Sequence, residues 1–129
     1  MITNYRMLDR EPGQRLMTVR THDIKRIEEY DPDPDLSYLE PDASPEYAAQ
    51  NAERLAAYRA GAWHCIGLKA RASFLIGLGE VAVIQTVESP GLWGIESDSD
   101  PSYLDEVFHE EAQTLRDMLA QLNVSVIDA

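Results

Sequence analysis

The sequence predicts an α+β domain, a small antiparallel sheet of about three to five strands with two helices packed on one face. Residues 62–76, 81–88 and 92–95 are expected at the centre of the sheet. Three observations carry this. Residues 62–77 alternate, and the even set His64, Ile66, Leu68, Ala70, Ala72 and Phe74 is more apolar than the odd set. After the turn residues Gly77 and Gly79, Val81, Val83, Gln85 and Val87 alternate with Ala82, Ile84, Thr86 and Glu88, so a hairpin is expected. Last, Leu104, Val107, Phe108, Ala112, Leu115, Met118, Leu119 and Leu122 recur at helical spacing.

The remaining elements follow in order. Residues 1–14, with Pro12-Gly13, read as a loose N-terminal arm. Leu16 to Ile27 has β-branched residues and partial alternation and fits a strand, although Asp23 to Glu28 also fits a helical turn. Residues 28–43 form an acidic, proline-rich loop in which Pro32 and Pro34 remove donors and restrict their neighbours; Leu36, Tyr38 and Leu39 are expected to peg it to the body. Ser44-Pro45 is a helix start, a hydroxyl cap followed by proline at the first helical position, and Gly61 a helix end. Ser89-Pro90-Gly91 breaks the second strand before a third, Leu92 to Ile95. Asp98 and Asp100 are candidate caps before Pro101, and Val124 to Ile127 is a candidate edge strand.

At 129 residues one domain is the default, 1–129, large enough to bury roughly two thirds of its unfolded surface. A formal net charge of −12 argues against direct contact with nucleic acid or an anionic membrane. The single cysteine, Cys65, rules out an intramolecular disulfide and gives no metal-ligand spacing. Residues 1–10 have no apolar run of the secretory kind, and no stretch is long enough to span a bilayer. The expectation is a cytoplasmic protein.

The acid is concentrated. Of 23 Asp and Glu residues, fifteen fall in 28–46 and 96–111, two windows without a Lys or Arg. Residues 1–27 carry a local balance of +3. Over about 9 Å of helix, Asp105, Glu106, Glu110 and Glu111 approach the charge density of duplex DNA, about one per 1.7 Å.

Chemical signatures are weaker. Asp31, Asp33 and Asp35 open like a calcium loop, but the sixth and twelfth positions are Leu36 and Asp42 instead of Gly and Glu. Glu96, Asp98 and Asp100 are a candidate divalent-cation set, although Asp in that place is more often a cap. His22, His64 and His109 are too scattered for zinc, and no nucleophile elbow or phosphate-cradling loop is present. No catalytic residue, metal or cofactor is nominated. Trp93, flanked by glycines, implies close backbone approach; burial is the first expectation for so large an aromatic, while exposure beside carboxylates would make it a binding anchor.

Asp33–Leu39 (DPDLSYL), Gly61–Ala70 (GAWHCIGLKA) and Gly91–Asp98 (GLWGIESD), followed by an acidic amphipathic helix, resemble a family of small uncharacterised proteins of phages and other bacterial mobile elements. The resemblance spans roughly residues 30–122 and implies a bacterial host in which small acidic proteins block defence nucleoproteins. The favoured expectation is a non-enzymatic inhibitor of an anti-CRISPR or antirestriction type, binding a basic, nucleic-acid-handling protein. Its expected contacts are Asp31, Asp33, Asp35, Asp105, Glu106, Glu110 and Glu111, with Trp93 as anchor. Two alternatives stand beside it: an assembly protein, for example a homodimer, that sets its basic 1–27 arm against an acidic face, and a metal-dependent enzyme built on Glu96, Asp98 and Asp100.

Overall fold

Strand β4, Cys65–Leu78, organises the molecule because it is paired along both edges. The computed structural model describes residues 2–9 (backbone alone through residue 7), 15–41, 43 and 45–128. Beside β4 lie β1 (Ile2–Asp9), β3 (Lys25–Tyr30), β5 (Val81–Glu88) and β6 (Leu92–Glu96). The order is β1-β5-β4-β3, all antiparallel, with β6 continuing along β4 on the β5 side. A second, two-stranded parallel sheet joins β2 (Thr18–Arg20) to β7 (Ser125–Ile127). The α+β class expected from the sequence is the class observed.

The hairpin closes where the glycines predicted. Leu78 faces Val81, and Gly79 has the positive φ of 64° that a two-residue turn demands. After Glu88 the strand breaks at Pro90, and buried Ser89 holds the break closed. Its N–H donates to the Ala70 carbonyl at 2.9 Å, and its hydroxyl accepts the Ala70 N–H at 2.9 Å. Beyond the break the register slips again: Leu68 faces Leu92 but Ile66 faces Ile95, so Trp93 and Gly94 together stand opposite Gly67. Such a bulge re-aims a side chain.

The even face of β4 is the core, as the alternation implies. Helix α2, Pro101–Gln121, lays Val107 over Ile66, Leu68 and Ile95, and lays Leu115 and Leu119 over Ala70, Ala72, Phe74 and Val87. Its N-cap is Asp100, which accepts the Ser102 N–H at 2.8 Å ahead of Pro101 at the first helical position. Asp98, the other cap candidate, serves elsewhere.

Helix α1, Ala48–Arg59, departs from the expectation of two helices on one face. It buries no residue fully and packs on the turn at Ser37–Leu39. Leu55, Ala57 and Tyr58 join Leu36, Leu39 and Trp63 in a satellite cluster that reaches the sheet at Cys65, on the parity opposite Ile66. An Ala-rich helix with little apolar surface has little reason to compete for the main core. Leu36 and Leu39 act as the expected pegs; Tyr38 is 44% exposed and holds by its hydroxyl instead. Ser44, the expected cap, lies outside the described residues; Pro45–Tyr47 make a 3-10 turn before α1.

The N-terminal region is a second departure. Residues 2–9 are β1, paired with β5 from Ile2↔Val87 to Asp9↔Val81, where a loose arm was expected. Main-chain pairing at a sheet edge needs no apolar alternation, so the pattern gave no warning. Residues 10–14 of that arm lie outside the described residues. Leu16 to Ile27 resolves into β2, a 3-10 turn at Thr21–Asp23 and the start of β3. Among the described residues, no helix is long and apolar enough to cross a membrane.

Candidate interaction surface

The two acidic windows, far apart in sequence, meet at the Cys65–Glu96 end of the sheet. Arg26 joins the two windows directly, and Arg54 ties α1 to the second. Arg26 of β3 donates to Glu28 at 2.7 Å and across to Asp105 of α2 at 2.9 Å. Arg54 of α1 donates to Glu96 at 2.6 Å and to Asp98 at 2.8 Å. Its guanidinium carbon sits 3.9 Å from the centroid of the Trp63 ring, whose N–H returns a bond to the Arg54 carbonyl at 3.0 Å. The Tyr38 hydroxyl donates to Glu96 at 2.6 Å, fastening the acidic loop to β6.

These contacts redistribute the expected site residues. Asp31 is 8% exposed, and its carboxylate accepts the Gly94 N–H at 2.9 Å and the Asp33 N–H at 3.2 Å. It is a structural tie between loop and sheet, and its assignment as a partner contact is corrected: buried and accepting two backbone N–H groups, its carboxylate is taken up within the chain. Glu111 is also turned inward, accepting the Gly91 N–H at 2.8 Å. Asp105 is exposed but paired with Arg26. Asp35 accepts the Ser37 N–H at 3.0 Å and remains exposed. Asp33, Glu106 and Glu110 are exposed, and no described cation lies within ion-pair distance of them.

The set is also divided between two faces. Glu106 and Glu110 lie on the outer side of α2. Trp93 lies on the other side of the sheet, because a Cβ added to Gly67 would come within 2.2 Å of its ring. The ring is neither core nor free: one face covers Gly67, the N–H donates to the Pro90 carbonyl at 3.1 Å, and the residue is 43% exposed. The glycine inside an otherwise well-filled strand was the signal available in the sequence.

The same open face carries an ion ladder that the sequence reading missed. Lys69 reaches Glu29 at 2.8 Å and Glu88 at 3.0 Å, and Arg71 reaches Glu88 at 2.9 Å. Burial pushes the Glu88 carboxyl up, and its bonds from Lys69 and Arg71 more than offset this, leaving it below the usual glutamate range. The hydrogen bond from Arg54 likewise holds Asp98 low. Period-2 alternation predicts which side these residues face but not which strands become neighbours.

The candidate cation set is engaged elsewhere. Arg54 occupies the space between Glu96 and Asp98, and Asp100 is spent on the helix cap, so the three carboxylates do not converge on a vacant centre. Among the described residues no group of three metal-ligating side chains forms. Burial pushes the Cys65 thiol up, away from the thiolate a nucleophile requires. Of the basic residues in 1–27, Arg20 pairs with Asp23 and Arg26 with Glu28 and Asp105. The chain matches no family model, and the comparisons with curated proteins and with solved structures give no match.

Proposed function

We propose that this protein is a non-enzymatic acidic binding protein whose partner is a basic, nucleic-acid-handling protein. One observation supports the reading above the others. Arg20, Arg26, Arg54, Lys69 and Arg71 are each held by carboxylates of the same chain, whereas Asp33, Asp35, Glu106 and Glu110 face solvent without a described counter-charge. In a chain of net charge −12 these four outward carboxylates are placed to steer a cationic surface and repel polyanions.

The contact is short. Glu106 and Glu110 are separated by about 6 Å of helix axis, a span in which duplex DNA places roughly three to four charges. The protein therefore imitates a few phosphates and not a long duplex. A phage or mobile-element setting, with a restriction or CRISPR component as the inhibited partner, belongs to this proposal and rests on the resemblance of the three segments quoted above.

The test uses the intact protein as bait in lysates of bacteria that carry such defence systems. Basic nucleic-acid-binding proteins should be captured, released by heparin, and lost when Asp33, Asp35, Glu106 and Glu110 are all changed to Lys. Capture that survives both the heparin and the fourfold reversal would sink the proposal.

A further inference from the structure

The seating of Trp93 is expensive in backbone freedom. Gly67 must lack a side chain because the indole lies against it, a Cβ added at Gly91 would stand 3.2 Å from the indole nitrogen, and Gly94 holds a φ of 76° to complete the bulge. A tryptophan that served only the core would not need to be left nearly half exposed. This one is fixed on its inner face and on its N–H, so the outer face is a rigid aromatic plane presented to solvent.

One carboxylate borders that plane: Glu29 is the direct cross-strand partner of Gly67, so its Cβ stands about 5 Å from the residue the ring covers, and it also holds Lys69 at 2.8 Å. The backbone of Asp33 is tied to the same strand end through Asp31, whose two oxygens accept the N–H of Asp33 and the N–H of Gly94, the neighbour of Trp93. An aromatic plane with a flanking carboxylate is a recognition site for a planar cation. The chain uses that arrangement internally where Arg54 stacks on Trp63 between Glu96 and Asp98.

We infer that the outer face of Trp93 seats an arginine side chain of the partner, the indole taking the guanidinium plane with Glu29, shared with Lys69, at its edge. This rests on the reading of the protein as an acidic binder and specifies what the binder reads. Lysine is a poorer occupant, since its compact ammonium neither stacks flat nor forks toward a carboxylate.

The probes are a short arginine- and glycine-rich peptide and its lysine counterpart of equal length and charge, titrated against the intact protein at low salt. The arginine peptide should bind roughly two- to fivefold more tightly. Trp93→Leu should erase that ratio and leave the affinity for the lysine peptide unchanged. In the unmodified protein the indole N–H resonance of Trp93 should move on adding the arginine peptide while that of buried Trp63 stays, a readout that holds even if Trp93→Leu fails to fold. Equal affinities for the two peptides, or an unmoved Trp93 resonance, would overturn the arginine seat and leave the acidic-surface reading standing. Binding of neither peptide would overturn both.

Discussion

The buried carboxylate of Asp31 accepts the backbone N–H of Gly94 at 2.9 Å, joining the acidic loop to the strand that carries Trp93. A residue whose sequence context reads as one more exposed acid is thus the one that positions its neighbours. Asp31→Ala leaves the N–H groups of Gly94 and Asp33 without their acceptor. It should cost about 1–3 kcal/mol, read from the urea midpoint, and should blue- or red-shift Trp93 emission as the bulge relaxes. By contrast, Glu106→Lys with Glu110→Lys should stay within about 0.5 kcal/mol of the parent, since both are exposed and unpaired.

Gly67→Ala tests the seat directly. The added methyl meets three ring carbons at 2.2 to 2.4 Å, and the ring cannot slide without losing its bond to the Pro90 carbonyl. Trp93 should swing into solvent, its emission moving to longer wavelength. Stability should fall by about 1–3 kcal/mol. Unchanged emission and an unchanged urea midpoint would contradict this packing.

Arg54 clasps α1 to the strand end through one cation–π contact and two carboxylates. All three side chains are about a third exposed or more, so solvent screening limits the gain, and Arg54→Ala should cost about 1–2 kcal/mol. Arg54→Lys should recover little of this, because lysine cannot fork between Glu96 and Asp98. Limited proteolysis of both variants should cut first within 32–62, the segment that Arg54 and the small Leu39–Trp63–Cys65 cluster hold to the body.

Acid should unfold the protein in a defined window. A carboxyl whose folded pKa lies below its unfolded value adds stability at every pH above the unfolded value, and that stability is lost as pH falls through the folded one. Glu88, Asp98 and Asp100 are all lowered in the fold. Urea midpoints should therefore hold from pH 7 to about 5 and decline below about 4. Glu88→Gln should lower the neutral plateau by about 1–2 kcal/mol, because Lys69 and Arg71 lose a charged acceptor, and should make the acid decline shallower.

Much of the fold was legible locally. The even parity of Ile66 to Phe74, the turn at Gly79, the proline-led helix after Asp100 and the strand after Val124 are each written in a few consecutive residues. Residues 2–9 were not, because an edge strand is held by its main chain, and α1 was misplaced because an Ala-rich face does not say what it packs against.

The sequence by itself determined the total charge, its two acidic windows and the identity of the sheet and helix that form the core. Only the tertiary structure decided which acids are available. Asp31 and Glu111 turned inward to backbone donors, Asp105 went to Arg26, and Glu96 and Asp98 went to Arg54, while Asp33, Glu106 and Glu110 kept their charge toward solvent. The physical reason is one of range. Helical and strand periodicities are set by neighbours a few residues apart, whereas a carboxylate is neutralised or hydrogen-bonded by whatever donor the fold brings within about 3 Å, and those donors here lie as far as 107 residues away along the chain.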